Sequence, residues 1–373
     1  MIRYLSKTKL SLLSGTALVR LDFNTEDNWR MLAVLPTIKL LLKTSDKIVI
    51  MSHRGRPESV SDAQAKAGKL DKKFSLRKNA ATLTSILNRK VIFIDHFDFP
   101  KITAIIEKSP KGSIFLLENL RFNAGEEKND SKFAKQLASL ADFYVNDAFA
   151  VDHRANASVV AITKFLPSYA GIELETEIDS LSRAMKKPKH PFVFIVGGAK
   201  AADKLDAISF FKNKADWFLL GGGSANTTLY LRGMDVKKSL RDTDPKTLKA
   251  IQPLVNFKKM VIPEDFVWGG ERILDIGPET TKRFVGIIAK AETIIWSGPL
   301  GFVEKSPYAK ASLALASAIA KNHKAFSLTG GGETVMFLKK YKLDKKFSFI
   351  STGGGAMIDF LAGKKLPGIE ALR

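Results

Sequence analysis

The sequence predicts an α/β protein of two domains, each a parallel sheet flanked by helices, with a helix joining them. Three observations carry the prediction. The chain has 373 residues, beyond the ~100–200 of one ordinary domain. Short β-branched and aromatic runs alternate with amphipathic stretches in two successive series, the pattern of βα units around a parallel sheet. In the second series the runs end in glycine clusters at Gly197–Gly198, Gly221–Gly223, Gly330–Gly332 and Gly353–Gly355.

The first series predicts strands at Ala17–Phe23, Lys47–Met51, Val91–Ile94, Ile114–Leu117 and Phe143–Val145, with helices over Leu76–Leu87 and Lys132–Leu140. The connector reads as a helix at Leu174–Met185. It is apolar at Leu174, Ile178, Leu181 and Met185, acidic at its start and basic at its end, as the helix dipole favours. The following KKPKHP stops it, and the second series begins: Phe192–Val196, Trp217–Leu220, Met260–Ile262, Thr293–Trp296, Ala325–Leu328 and Phe347–Ile350. The expected domains are 1–172 and 187–359, with a hinge helix over 173–186 and a tail, 360–373, returning to the first domain.

Composition narrows the function. No cysteine is present, which removes disulfides, thiolate zinc sites and cysteine nucleophiles together. No apolar run approaches the ~20 residues of a membrane span, and Lys and Ser interrupt the N-terminal segment where a signal peptide needs an apolar core. A cytoplasmic chain with no membrane partner is expected. The 59 Lys+Arg against 38 Asp+Glu leave a formal charge of +21. The lysines are scattered and no basic block is interleaved with aromatics, so a solvated cationic surface is a better account than a nucleic-acid interface.

Residues that carry chemistry stand just past the apolar runs. Asp22 and Asn24 follow the first, His53 and Arg56 the second, Arg121 the fourth, and His153 and Arg154 the fifth. In a parallel sheet these converge on one edge. Guanidinium forks there suit a small, multiply anionic ligand. The glycine clusters of the second series let backbone approach a ligand closely and aim helix N–H groups at it, a phosphate cradle. Neither a P-loop nor a dinucleotide fingerprint is present.

The motifs VRLDFN (Val19–Asn24), MSHRGRP (Met51–Pro57), LLENLRF (Leu116–Phe122), YVNDAFAVDHRA (Tyr144–Ala155), LPSYAG (Leu166–Gly171), GGAKAADK (Gly197–Lys204), GPETTK (Gly277–Lys282), WSGPLGFVE (Trp296–Glu304), LTGGGET (Leu328–Thr334), STGGGA (Ser351–Ala356) and LPGIEAL (Leu366–Leu372) run in order along the chain. In these the chain resembles phosphoglycerate kinases. The resemblance implies two Rossmann-like domains and a reversible, magnesium-dependent phosphoryl transfer between 1,3-bisphosphoglycerate and ADP, in line and with domain closure, by a monomer. It implies that Asp22, Phe23, Asn24, Arg30, His53, Arg54, Gly55, Arg56, Arg121 and Arg154 bind 3-phosphoglycerate. It further implies that Gly198, Lys200, Lys204, Gly221, Gly222, Glu304, Gly331, Gly332, Glu333 and Thr334 bind Mg-ATP or Mg-ADP, with Glu333 nearest the metal. Arg30, Lys200, Gly354 and Gly355 would carry catalysis. Four features depart from the family pattern: a short segment between Asn24 and Arg30, Ser297 for an asparagine, Glu333 for an aspartate, and Asn156 for a histidine. The alternative that the charge suggests is a catalytically altered homologue that binds polyanions or nucleic acid.

Overall fold

The computed structural model describes residues 1–25, 27–57 and 71–373. They form two compact units, Met1–Ile178 with Lys365–Arg373, and Asp179–Lys364.

In the first unit, β1 (Thr16–Leu21), β2 (Lys47–Met51), β3 (Val91–Ile94), β4 (Ile114–Leu117), β5 (Phe143–Asp147) and β6 (Ser168–Ala170) make a parallel sheet in the order β3-β4-β2-β1-β5-β6. Strand order reverses at β1, so the carboxyl ends of β1, β2 and β5 meet where open α/β sheets bind ligands. Every β1 residue after Thr16 is buried, Arg20 among them. An apolar strand covered on both faces is expected of a central parallel strand; a buried arginine is not. The predicted strand ran on to Phe23. It stops at Leu21 because the Phe23 N–H is taken by Ser52 Oγ at 3.0 Å and the Asn24 N–H by Asp22 Oδ1 at 2.9 Å.

In the second unit, β7 (Phe192–Val196), β8 (Trp217–Leu220), β9 (Met260–Val261), β12 (Thr293–Ser297), β13 (Phe326–Gly330) and β14 (Phe349–Ser351) form a parallel sheet ordered β14-β13-β12-β7-β8-β9. The strand predicted from Phe347 starts two residues later: Ser327 and Ser348 bond each other's backbone N–H through their hydroxyls, at 3.0 and 3.1 Å, in place of ladder bonds. Two further strands, β10 (Phe266–Gly269) and β11 (Arg272–Ile276), make an antiparallel hairpin. Trp296 is fully buried, packed on Phe337 and Phe347, and donates its indole N–H to the Gly298 carbonyl at 2.7 Å.

Helix starts follow the sequence closely. Asp98, Asp130 and Asp244 each accept a first-turn N–H, from Lys101, Phe133 and Thr247, caps worth ~1 kcal/mol apiece. The connecting helix spans Ile172–Lys186, and the boundary between units falls within it. Its N-terminus is pinned to the first unit: Leu174 donates its N–H to Asp147 Oδ1 at 2.8 Å and Ile172 to Thr37 Oγ1 at 2.8 Å.

The chain's last residues return to the first unit. Gly368 donates to the Asp152 carbonyl at 2.9 Å, and the N-terminal ammonium reaches the Arg373 carbonyl at 3.2 Å. Residues 360–364, expected with this tail, group with the second unit instead. There Gly363 lies against the Phe210 ring, and Lys364 pairs with Asp206 at 2.7 Å and Asp359 at 2.9 Å.

Candidate active site

The first unit gathers its polar groups past the ends of β1, β2, β4 and β5. Asp22, buried, gives one oxygen to the Arg30 guanidinium and the other to the Asn24 N–H. Burial raises its pKa, but Arg30, His53, the Asn24 amide and Arg20 together outweigh it and hold the carboxyl below its ordinary value. Asn24 Oδ1 accepts the Gly55 N–H at 2.7 Å, and Arg121 donates to the Gly55 carbonyl at 2.6 Å. The loop after β2 is thereby clamped from both sides. Gly55 has φ of +60° with the Phe74 ring where a side chain would stand, so glycine is required there. Asn119 Nδ2 holds the Arg54 carbonyl at 2.8 Å.

The pocket carries more positive charge than its carboxylates balance. Arg121 is 5% exposed; burial, then Arg154, press its pKa down, with Glu127 at 3.3 Å opposing. His53 is 3% exposed. Burial pushes its pKa well below the usual value, and Arg20, Arg121 and Arg154 push the same way against the one opposing carboxylate, Asp22. His53 is therefore a neutral ring at neutral pH.

Hydrogen bonds and charge thus join Asp22, Asn24, Arg30, His53, Gly55, Arg121 and Arg154 in one site. Arg30 stands on the helix Trp29–Ala33, its guanidinium 5.5 Å from the Trp29 ring centroid. Within the short segment before it, Glu26 lies outside the described residues. Arg54 joins through its backbone, and Arg56 is exposed at the end of the same loop. Phe23 turns its ring into the core, 1% exposed, leaving only its backbone to face a ligand. The sequence reading missed Arg20, Ser158 and Glu126, which underlie His53. A charge inside the apolar run TALVRL was the available signal.

In the second unit the glycines fall into two groups. The N–H groups of Gly198, Gly221, Gly222 and Gly223 already bond the carbonyls of Pro299, Val196, Leu300 and Gly198 at 2.7–2.9 Å. A side chain at Gly197, Gly221 or Gly223 would run into neighbouring backbone. These glycines bring strand ends together with their own amides already bonded, and Gly198 and Gly222, both expected to bind nucleotide, line a cavity. Gly331 and Gly354 share a positive φ with Gly198 and Gly222 but differ in position. They have φ of +92° and +53° and stand immediately before the helices Gly332–Lys340 and Gly355–Leu361. A side chain at Gly331, Gly332 or Gly355 would meet open space, and the first amides of a helix have no acceptor within it.

The cavity has a volume of about 650 Å³, within the range of small-molecule sites. Leu240, Ile273, Pro299 and Phe302 give it apolar walls, and Glu304 and Glu333 line it too. The hairpin β10–β11 supplies Phe266 and Arg272–Ile276 to the wall, a contribution that no glycine signal announced. Asp275 is buried there and raised to about 7 by desolvation, against the bonds it accepts from Ala311 and Ile276. Lys204 is 8% exposed and donates to the Lys200 carbonyl at 3.1 Å, while the Lys200 side chain is exposed. Asp242 Oδ2 anchors the loop through the Ala201 N–H at 2.8 Å. Thr334 Oγ1 accepts the Gly298 N–H at 3.2 Å. Among the described residues no group of three or more His, Asp or Glu is arranged to hold a metal ion.

A cluster of guanidiniums past the strand ends of one parallel sheet and a cavity of about 650 Å³ in the unit built on the other fit a phosphotransferase made of two α/β units. The sequence matches the family described as phosphoglycerate kinase over residues 8–364. It is 39% identical to phosphoglycerate kinase of Moorella thermoacetica over 394 aligned positions, covering 97% of each chain, and 38% identical to that of Wolbachia pipientis wMel, covering 96% of each. Among solved structures, phosphoglycerate kinase of Coxiella burnetii superposes with a TM-score of 0.82 at 32% identity, covering 100% of this chain and 99% of that one. That of Pyrococcus horikoshii OT3 gives 0.85 at 29%, covering 100% and 98%. The chain belongs to the phosphoglycerate kinase family, whose members are phosphotransferases with a carboxyl group as acceptor. Among the described residues no helix is long and apolar enough to cross a membrane.

Proposed function

We propose that the chain transfers a phosphoryl group reversibly between 1,3-bisphosphoglycerate and ADP, giving 3-phosphoglycerate and ATP, with the acid bound on the first unit and the nucleotide on the second. The observation that carries this reading is the cluster of Arg20, Arg30, Arg121 and Arg154 around His53, four guanidiniums against the three carboxylates of Asp22, Glu126 and Glu127. A small ligand with two anionic ends relieves that imbalance and takes bidentate bonds from the forks. Asn24, His53, Arg56, Arg121 and Arg154 hold it, with Asp22 aligning Arg30.

The acceptor carboxylate is ionised at neutral pH, so the reaction needs no general base, and a neutral His53 serves as a donor. What remains is neutralisation of the transferring group and its alignment. Arg30, Lys200 and the N–H groups at Gly354 and Gly355 supply it. In the cavity, Leu240 and Ile273 face the base, Glu304 accepts from sugar hydroxyls, and Lys204 and the amides at Gly331–Thr334 take the phosphates. Magnesium arrives on the nucleotide. A single exposed carboxylate near the phosphates, Glu333 in the first turn of its helix, with Glu304 turned to the sugar, suits an ion held mainly by phosphate oxygens and water. Donor and acceptor on separate units must be brought into line with water excluded, and the helix Ile172–Lys186, shared by both, is the hinge. The working form is a single chain in the cytoplasm.

A coupled assay for ADP formation from ATP and 3-phosphoglycerate tests the reading directly. ADP formation that requires 3-phosphoglycerate supports it; ADP formation indifferent to the acid, or none, refutes it.

A further inference from the structure

We propose that Arg20 is a positioning residue that holds His53 as a neutral ring with its proton on Nε2, so that His53 meets the bound acid as a hydrogen-bond donor and not as a cation. The inference rests on the pocket assigned above.

Arg20 lies in β1, 1% exposed, and has a partner for each of its nitrogens. Nε donates to Ser158 Oγ at 3.0 Å, one terminal nitrogen donates to the Leu21 carbonyl, and the other meets His53 Nδ1 at 3.1 Å. A guanidinium has no acceptor. The bond to His53 can therefore run only from arginine to imidazole, which requires Nδ1 to be bare. A neutral imidazole with a bare Nδ1 carries its proton on Nε2. Protonating Nδ1 would set two donors against each other in a buried site. The one acidic competitor, Asp22 Oδ1, is 3.8 Å from Nδ1, outside hydrogen-bond range.

The guanidinium is itself fixed. Ser158 Oγ donates to Glu126 Oε1 at 2.6 Å and Ser158 N–H to Oε2 at 3.0 Å, with Glu126 1% exposed. Both carboxylate oxygens are thus engaged, and the buried charge of Arg20 is balanced at one remove through a hydroxyl. A buried arginine without such compensation would be costly. Carboxylate, hydroxyl, guanidinium and imidazole form one chain that ends at the pocket. The groups that act on the ring agree with the assignment: burial, Arg20, Arg121 and Arg154 all disfavour its protonation, and Asp22 alone favours it. Anion attraction then falls to the guanidiniums of Arg56, Arg121 and Arg154, and His53 adds a donor that does not switch with pH.

The test reads the ring nitrogens of His53 by ¹⁵N NMR on the full chain, assigned with His53→Gln. The wild type is expected to show the Nε2–H tautomer and to titrate well below the ordinary ~6.5 of histidine. In Arg20→Gln the His53 titration moves up by about one unit or more, and Nδ1 becomes protonated towards Asp22. The KM for 3-phosphoglycerate then acquires a pH dependence across that titration while kcat keeps its wild-type pH profile. Ser158→Ala, which removes only the hydroxyl link, shifts the titration in the same direction by less. A wild-type ring protonated on Nδ1 overturns the proposal. So does an unchanged tautomer and titration in folded Arg20→Gln, or, should that variant fail to fold, in Ser158→Ala. The ring signals are read without turnover, so a chain lacking kinase activity would refute the proposed function and leave this inference standing.

Discussion

Replacing Asp152 by asparagine should flatten the dependence of the first unit's stability on pH. Asp152 is completely buried. One oxygen accepts from Asn146 Nδ2 at 2.7 Å and the other has no hydrogen-bond partner. Desolvation is the chief cause of its high pKa, with Asp147 and Glu177 adding to it, and the carboxyl is raised from 3.8 to about 8. Between those values the folded chain binds the proton and the unfolded chain does not. The stability associated with the group is whole below the unfolded pKa and drains as pH rises through the folded one. At 1.36 kcal/mol per unit, the three units from about pH 5 to about pH 8 amount to a loss of at most ~4 kcal/mol. Asparagine keeps the acceptor for Asn146 and leaves an amide without a partner, at a cost of ~1–3 kcal/mol that does not vary with pH. Urea unfolding at a series of pH values, followed by amide exchange in β1 and β5 peptides, reports the first unit alone. The variant should be the less stable at about pH 5 and should recover relative to wild type by up to ~4 kcal/mol at about pH 8. Asp147, raised to about 7, and Glu173, raised to about 9, leave a residual slope in both. Parallel wild-type and variant curves would refute the reasoning.

Arg30→Ala should lower kcat by ~10²–10³ while changing KM much less, because its charge is used most while the group is in transit. Steady-state kinetics in both substrates would show it, and an equal loss of affinity with kcat intact would make Arg30 a binding residue; Arg30→Lys should fail as well, since an ammonium cannot reproduce the fork. Glu333→Gln should raise the magnesium concentration for half-maximal rate and leave the melting temperature of the unliganded chain nearly unchanged. A loss of stability with the magnesium requirement unaltered would assign Glu333 to its helix dipole instead.

Much of this molecule could be read from its apolar runs, because parallel strands buried on both faces leave uninterrupted β-branched and aromatic sequence. Lys47–Met51, Val91–Ile94 and Phe192–Val196 match to the residue. The hairpin β10–β11 escaped because a register shift between Val267 and Trp268 breaks its alternation and Trp268 is 37% exposed. β6 escaped because three residues, one of them serine, carry no period. At the sites, residues past strand ends could be placed by topology alone. Arg20 could not, since its role depends on Ser158 and Glu126, far along the chain. The glycine clusters looked alike as sequence and parted only in space: close packing of backbone demands glycine at Gly197, Gly221 and Gly223, whereas a positive φ demands it at Gly198, Gly222, Gly331 and Gly354.

The return of the last residues to the first unit sets an order of completion. A ribosome delivers the chain from its N-terminus, so the unit begun first is also the one that needs the last residues made, Lys365–Arg373. The first unit, begun first, waits for those residues. Until Gly368 arrives, the face of Asp152 that it covers stays open to water, and the carbonyl that bonds Gly368 has no partner from the tail. The half of the molecule begun earliest cannot be completed before the chain itself is.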